Sequence, residues 1–153
     1  MKITVLAPYT FNYIDAIVDK LREYPDVEVT YINYEKVKYQ YPSTVSRVYN
    51  FFLKTFTGKN LKKQFITEQL IDKLAGKADQ DYILVIRPDK LERKLLLHLR
   101  NKTNKLISYY FDPILKFPKK GKLIDYFDEV YSYEKEDVVK YKLKFLTNFI
   151  PYD

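Results

Sequence analysis

Lys105 to Tyr141 runs KLISYYFDPILKFPKKGKLIDYFDEVYSYEKEDVVKY, which reads as strand, charged turn, short helix, strand, helix. Leu106, Ile107, Tyr109, Tyr110 and Phe111 form a near-continuous apolar run, the pattern of a strand buried on both faces. Asp112-Pro113 stops that strand, because proline has no N–H for the ladder and restricts the residue before it. An acid at this point stands where an open α/β sheet presents functional side chains.

Working outward, the chain opens on an apolar strand, Lys2 to Ala7, broken by Pro8-Tyr9-Thr10. Ile14, Ile17, Val18 and Leu21 follow at helical spacing, with Thr10 or Asn12 as a cap. After Pro25-Asp26, Val27 to Ile32 make a second strand, so the opening is a βαβ unit. Ser43 to Lys77 is long for one crossover. Ser43 is the expected N-cap of a helix carrying Val45, Val48, Tyr49, Phe52 and Phe56, and Gly58-Lys59-Asn60 interrupts. Ile66, Leu70, Ile71 and Leu74 then resume the period up to Gly76, read as a C′ glycine. Two helices where one is needed suggest an outer insertion.

Asp81 to Ile86 is the third strand, ending at Arg87-Pro88-Asp89. Asp89 and Glu92 have capping-box spacing ahead of the stripe Leu91, Leu95, Leu96 and Leu99. The strand of the opening stretch is fourth, Glu129 to Tyr133 fifth and Lys144 to Leu146 sixth. Alternating strands and helices predict one α/β domain over residues 1–153, a Rossmann-like three-layer sandwich with a mostly parallel sheet. The expected order is 2-1-3-4-5-6.

Composition bounds the chemistry. The 153 residues suit a single soluble domain. Absence of cysteine excludes disulfides and thiolate metal sites, and the single histidine, His98, excludes a histidine cluster, so no metal is expected. No apolar run is long enough to span a bilayer, and the chain enters its first strand without a signal-like segment. The expected compartment is the cytoplasm. Three glycines build neither a G-x-G-x-x-G turn nor a P-loop, so no cofactor is expected. An acidic pair after strand one, as a receiver domain needs, and a G-x-S-x-G elbow are also missing.

The carboxyl ends of the strands collect the candidate site residues. These are Tyr9, Thr10 and Asn12 after strand one, Arg87 and Asp89 after strand three, Asp112 after strand four and Glu134 after strand five. Asp112 is the candidate catalytic group and the others candidate substrate contacts. Each also has a plainer reading: Thr10, Asn12 and Asp89 as caps, Arg87 as an ion-pair partner of Asp89 or Asp112, Asp112 as a turn-former.

The net charge is +7, carried by 22 lysines and five arginines. That bias, with 16 tyrosines and ten phenylalanines, partly resembles the codon usage of an AT-rich genome, so aromatic richness alone is no binding surface. Two basic clusters stand out. Lys116, Lys119, Lys120 and Lys122 read as a solvated loop. Lys54, Lys59, Lys62 and Lys63 interleave with Phe51, Phe52, Leu53 and Phe56. This is the composition of a segment that docks on an anionic bilayer through Phe52, Lys59, Lys62 and Lys63. It is equally that of a segment burying its aromatics on the sheet. Nucleic acid ranks last as a partner, resting on charge alone.

At Tyr109 to Pro118, YYFDPILKFP, and Tyr126 to Tyr141, YFDEVYSYEKEDVVKY, the chain resembles a known family. It is similar to the N-terminal half of bacterial GT-B-type glycosyltransferases of lipopolysaccharide and capsule biosynthesis, related to the CgeB-like group. The corresponding features are Asp112, Phe127-Asp128, the strand Val130 to Tyr133, the helix Asp137 to Tyr141, and Phe145 to Phe149. Departures are Pro113 where serine is common and Tyr133 where phenylalanine is usual. The resemblance implies two Rossmann-like domains, with the nucleotide-sugar donor held by a C-terminal domain that this chain lacks. It implies that this half binds a glycan or lipid-linked acceptor and is inactive alone. The alternative is a non-catalytic α/β module for a protein partner or an anionic membrane surface.

Overall fold

The computed structural model describes residues 1–9, 12–115 and 121–148. Six strands form one sheet: β1 Lys2–Ala7, β2 Glu28–Asn33, β3 Gln80–Ile86, β4 Thr103–Tyr110, β5 Glu129–Ser132 and β6 Lys144–Phe145. Their order is β2-β1-β3-β4-β5-β6, and every pairing is parallel. The described helices are α1 Tyr13–Arg22, α2 Thr44–Thr57, α3 Leu61–Ala75, α4 Arg93–Arg100 and α5 Lys135–Tyr141. The fold is Rossmann-like α/β, with the strand order that the pattern of elements predicts.

Strand alternation divides the core in two. On one face Leu6, Ile83, Val85, Leu106, Tyr110 and Val130 pack under Leu70 and Leu74 of α3 and Leu95, Leu96 and Leu99 of α4. On the other, Ile3, Val5, Ala7, Ile86 and Tyr109 meet Ile14 and Val18 of α1. Among the described helices only α1 adds side chains to this second core. Tyr82 and Lys105 there are not buried, and Glu129 accepts from Lys105 and Lys144. The opening strand is therefore buried on one face and only partly on the other, short of what its apolar run suggests.

Helix boundaries follow local chemistry with two differences. Ser43 caps α2 in a reciprocal box with Ser46, and Asn60 caps α3 by accepting from the N–H groups of Lys62 and Lys63. Gly76 ends α3 but stays right-handed at φ −80°. The left-handed C-terminal glycine is Gly58, at φ 71°, closing α2. The Asp89–Glu92 box does not form. Pro88 starts a 3₁₀ turn over Pro88–Lys90, so α4 begins only at Arg93. Asp89 turns to Arg87 instead, and Glu92 pairs with Lys63 at 3.6 Å.

Two carboxylates hold β4 and its exit, and both belong to the C-terminal motifs. Asp128 takes the Leu106 N–H at 2.8 Å and the Arg100 guanidinium at 2.8 Å, tying α4 to the amino-terminal half of β4. Asp137, fully buried in α5, accepts from the backbone N–H groups of Ile114 and Leu115, the latter at 2.9 Å. The segment leaving Asp112 is thus anchored from a helix more than twenty residues later. Gly121 lies against the Tyr141 ring, where a Cβ would come within 3.1 Å of it.

Candidate functional site

The sheet's carboxyl edge is organised by Arg87. Its backbone is left-handed, φ 57° and ψ 62°, uncommon for a residue with a Cβ and held only where the surroundings insist. Here its N–H donates to the Tyr109 carbonyl at 3.2 Å. The buried Tyr34 hydroxyl donates to the carbonyls of Ile86 and Arg87, each at 3.2 Å. Burial, then the charge of Asp89, pushes the Tyr34 phenol far above its ordinary pKa, so it remains a donor.

That backbone turns the guanidinium onto two carboxylates. Asp89 is engaged through Nε and Nη2 at 3.4 and 3.3 Å, and Asp112 through Nη1 at 2.9 Å. The Phe111 ring lies 5.6 Å from the guanidinium carbon. Burial works against the Arg87 charge, but the bonds and field of Asp89, then the field of Asp112, outweigh it and raise its pKa. Two acids on one arginine leave a net negative charge. Asp89 is nearly closed off, with 11% of its side chain exposed, whereas Asp112 keeps 37%. Only Oδ2 of Asp112 is engaged among the described residues, and it faces Arg87 rather than its own turn.

The other predicted residues are arranged around this group without all touching it. Tyr9 donates its N–H to Glu35 at 3.2 Å and its hydroxyl to Asn12 at 3.2 Å. Glu35 in turn pairs with Lys90. Asn12 occupies the cap position of α1 in a left-handed conformation, but its side chain makes no capping bond. Glu134 stands at the cap position of α5 and gives its N–H to Ser132 at 3.1 Å. Thr10 lies outside the described residues, as do Lys116, Lys119 and Lys120.

Sequence reasoning passed over Tyr133. Its phenol pKa is raised by burial, then by Glu134, Asp112 and Asp137, so it sits in the field of the strand-end acids. The sequence put Tyr133 at the end of the fifth strand, and β5 stops at Ser132, which leaves Tyr133 as the first residue beyond it. Tyr109 also serves this edge: its hydroxyl, pushed up to about 12 by burial and then by Tyr133, donates to Asn148. Tyr34 was missed, and Asp137, named only within its helix, was given no anchoring role, because their partners are remote in sequence. His98 is half-buried, its Nε2 without a described partner. Among the described residues no cluster could hold a metal ion, and no described helix is long and apolar enough to cross a membrane.

The lysine-aromatic segment does not bury its aromatics on the sheet. Phe51, Phe52 and Phe56 are exposed, with Phe52 and Phe56 stacked at 6.2 Å between centroids. Lys62 and Lys63 line a groove of about 460 Å³ together with Tyr34, Glu35, Asn60 and Lys90.

No family model and no curated protein matches the chain. Among solved structures it is similar to the azoreductase AzrA, at 12% identity over 93% of this chain and 92% of that one, TM-score 0.36. It is likewise similar to an azoreductase from Bacillus anthracis str. Sterne, at 12% identity over 93% and 91%, TM-score 0.35. Superposition this loose carries nothing about chemistry.

Proposed function

We propose that this chain is the acceptor-binding, N-terminal half of a GT-B-type glycosyltransferase, working from the cytoplasm on a surface polysaccharide, a lipopolysaccharide or a lipid-linked precursor. The observation carrying the reading is the Asp112 carboxylate. It lies just past the carboxyl end of β4, with Oδ2 held by Arg87 and Oδ1 unengaged among the described residues. The resemblance of Tyr109 to Pro118 and Tyr126 to Tyr141 to that family supports it.

In this reading an acceptor hydroxyl donates to Oδ1 of Asp112. The carboxylate takes the proton as the acceptor oxygen attacks the anomeric carbon, or it anchors a neighbouring hydroxyl by a charge-assisted bond. The bond to the nucleoside diphosphate breaks, and that leaving group departs with the electron pair. The nucleotide sugar is held by a second domain, so this half turns over nothing by itself. Arg87 is a positioning residue: its fork fixes the rotamer of Asp112 while Asp89 holds the fork. Tyr9, Asn12, Tyr133 and Glu134 supply the further polar and aromatic groups that a polyhydroxylated ligand requires. The test is whether saccharide acceptors bind at this edge and whether Asp112→Asn removes that binding.

A further inference from the structure

Helix α2 projects a stripe of large apolar side chains that no described residue covers. Val45, Tyr49, Phe52 and Phe56 recur at helical spacing, and they are 77%, 58%, 51% and 79% exposed. Val48 and Phe51 beside them are exposed as well. The one buried residue of α2 is Asn50, and it is polar. It donates to the Tyr41 hydroxyl at 2.7 Å and accepts from the Leu61 N–H at 2.8 Å, mooring the helix to the start of α3. Contiguous apolar surface of this kind marks an interaction site.

The charge of the same region says what it meets. From Lys36 to Thr67 there are seven lysines and arginines and no acid. Seven is also the net charge of the whole chain, so the remaining residues are balanced and the entire excess sits in this segment. Lys36, Lys38, Arg47, Lys54, Lys59 and Lys62 have no carboxylate partner among the described residues. Only Lys63 is paired, with Glu92.

We propose that α2, Lys54 included, together with Lys59 and Lys62 just after it, is the surface by which this chain docks on an anionic lipid bilayer. Exposed apolar side chains and unneutralised cations in one segment are what an interfacial helix combines: burial of the apolar side chains at the headgroup boundary and attraction to anionic lipid. A second copy of the chain fits poorly, because a two-fold interface would bring the same cations face to face. A single-stranded nucleic acid wants a run of stacking platforms, whereas Val45 and Val48 interleave with the rings here. The inference is independent of the acceptor reading, since it is tested with no sugar present.

The test is co-sedimentation of the full chain with vesicles of phosphatidylcholine, with and without phosphatidylglycerol, across a salt series. The chain has no tryptophan, so Phe52→Trp adds a single fluorescent reporter, expected to shift blue on anionic vesicles. Binding should require the anionic lipid and weaken as salt rises. Replacing Lys54, Lys59 and Lys62 by glutamine should weaken it by about 100-fold, from about fivefold per cation near the surface. Phe52→Ser with Phe56→Ser should also abolish it, with thermal unfolding unchanged because both rings are exposed. Equal binding to neutral vesicles, no binding to anionic ones, or a dimer in solution disrupted by the serine pair would each overturn the proposal. So would tighter binding to single-stranded RNA that depends on the same residues.

Discussion

Replacing Asp137 by alanine removes the buried group that fastens the segment after Asp112. Its carboxylate is fully buried and accepts from the N–H groups of Ile114 and Leu115. Ile114 is itself fully buried in the main core, so its amide gains no water when the acid goes. Hydrogen bonds to a charged group contribute about 1.5–3 kcal/mol each, so losing two should cost about 3–6 kcal/mol. That is a large share of the roughly 5–15 kcal/mol stabilising a domain. Asp137→Asn should fall between, at about 2–3 kcal/mol, because the amide oxygen still serves one N–H while its NH₂ opposes the other. The assay is urea unfolding followed by far-UV circular dichroism, with the exposed Asp125→Ala as control, expected within about 0.5 kcal/mol of wild type. A loss under about 1 kcal/mol for Asp137→Ala would refute the view that α5 anchors the exit from β4.

Glu129 accepts from Lys105, Tyr131 and Lys144, and in that order these partners hold its carboxyl down at about 2 from an ordinary 4.5. A depressed carboxyl stabilises the fold above its unfolded pKa and loses that contribution as pH falls through the folded value. Glu129→Gln should therefore be less stable than wild type at pH 6, with the gap closing between pH 4.5 and about 2 in acid-unfolding curves; a gap independent of pH would count against the ladder. The glycines should behave oppositely in thermal unfolding. Gly58→Ala should destabilise by about 1–2 kcal/mol through its left-handed backbone. Gly76→Ala, at φ −80° with open space around it, should be neutral or gain up to about 1 kcal/mol.

Much of the fold was legible because its signals are local. Apolar runs bounded by Pro8, Pro25 and Pro88 mark strand and helix ends, and right-handed crossovers then leave few strand orders. Ser43, directly after Pro42, could be read as a cap, and its partner Ser46 is only three residues away. The capping box at Asp89 and Glu92 misled because Arg87, two residues before Asp89, offers that acid a stronger partner. Periodicity along α2 identified an apolar stripe, but whether anything covers a stripe is a tertiary fact. Both readings of that segment had the same pattern, and only exposure separates them.

At the edge, residue types were readable and their arrangement was not. Placing Arg87, Asp89 and Asp112 after successive strands needs only the topology rule. That one arginine grips both acids depends on its positive φ, which the Tyr34 hydroxyl holds across 53 residues. Nothing near Arg87 in sequence announces Tyr34. The family-like acids divide likewise. Asp128 and Asp137 bind backbone N–H groups around β4, whereas Oδ1 of Asp112 is unengaged among the described residues.

On the proposed reading, Oδ1 of Asp112 receives an acceptor hydroxyl. The direct measurement is a titration of the isotopically labelled chain with a panel of saccharide acceptors, followed by amide chemical shifts for wild type and Asp112→Asn. Acceptor binding at this edge should give shifts grouped at Tyr9, Arg87, Asp112 and Glu134, saturating with ligand and absent in Asp112→Asn. Shifts that survive the substitution, that fall instead around Met1, Asp81 and Asn104 at the opposite edge, or that no acceptor produces, would contradict it.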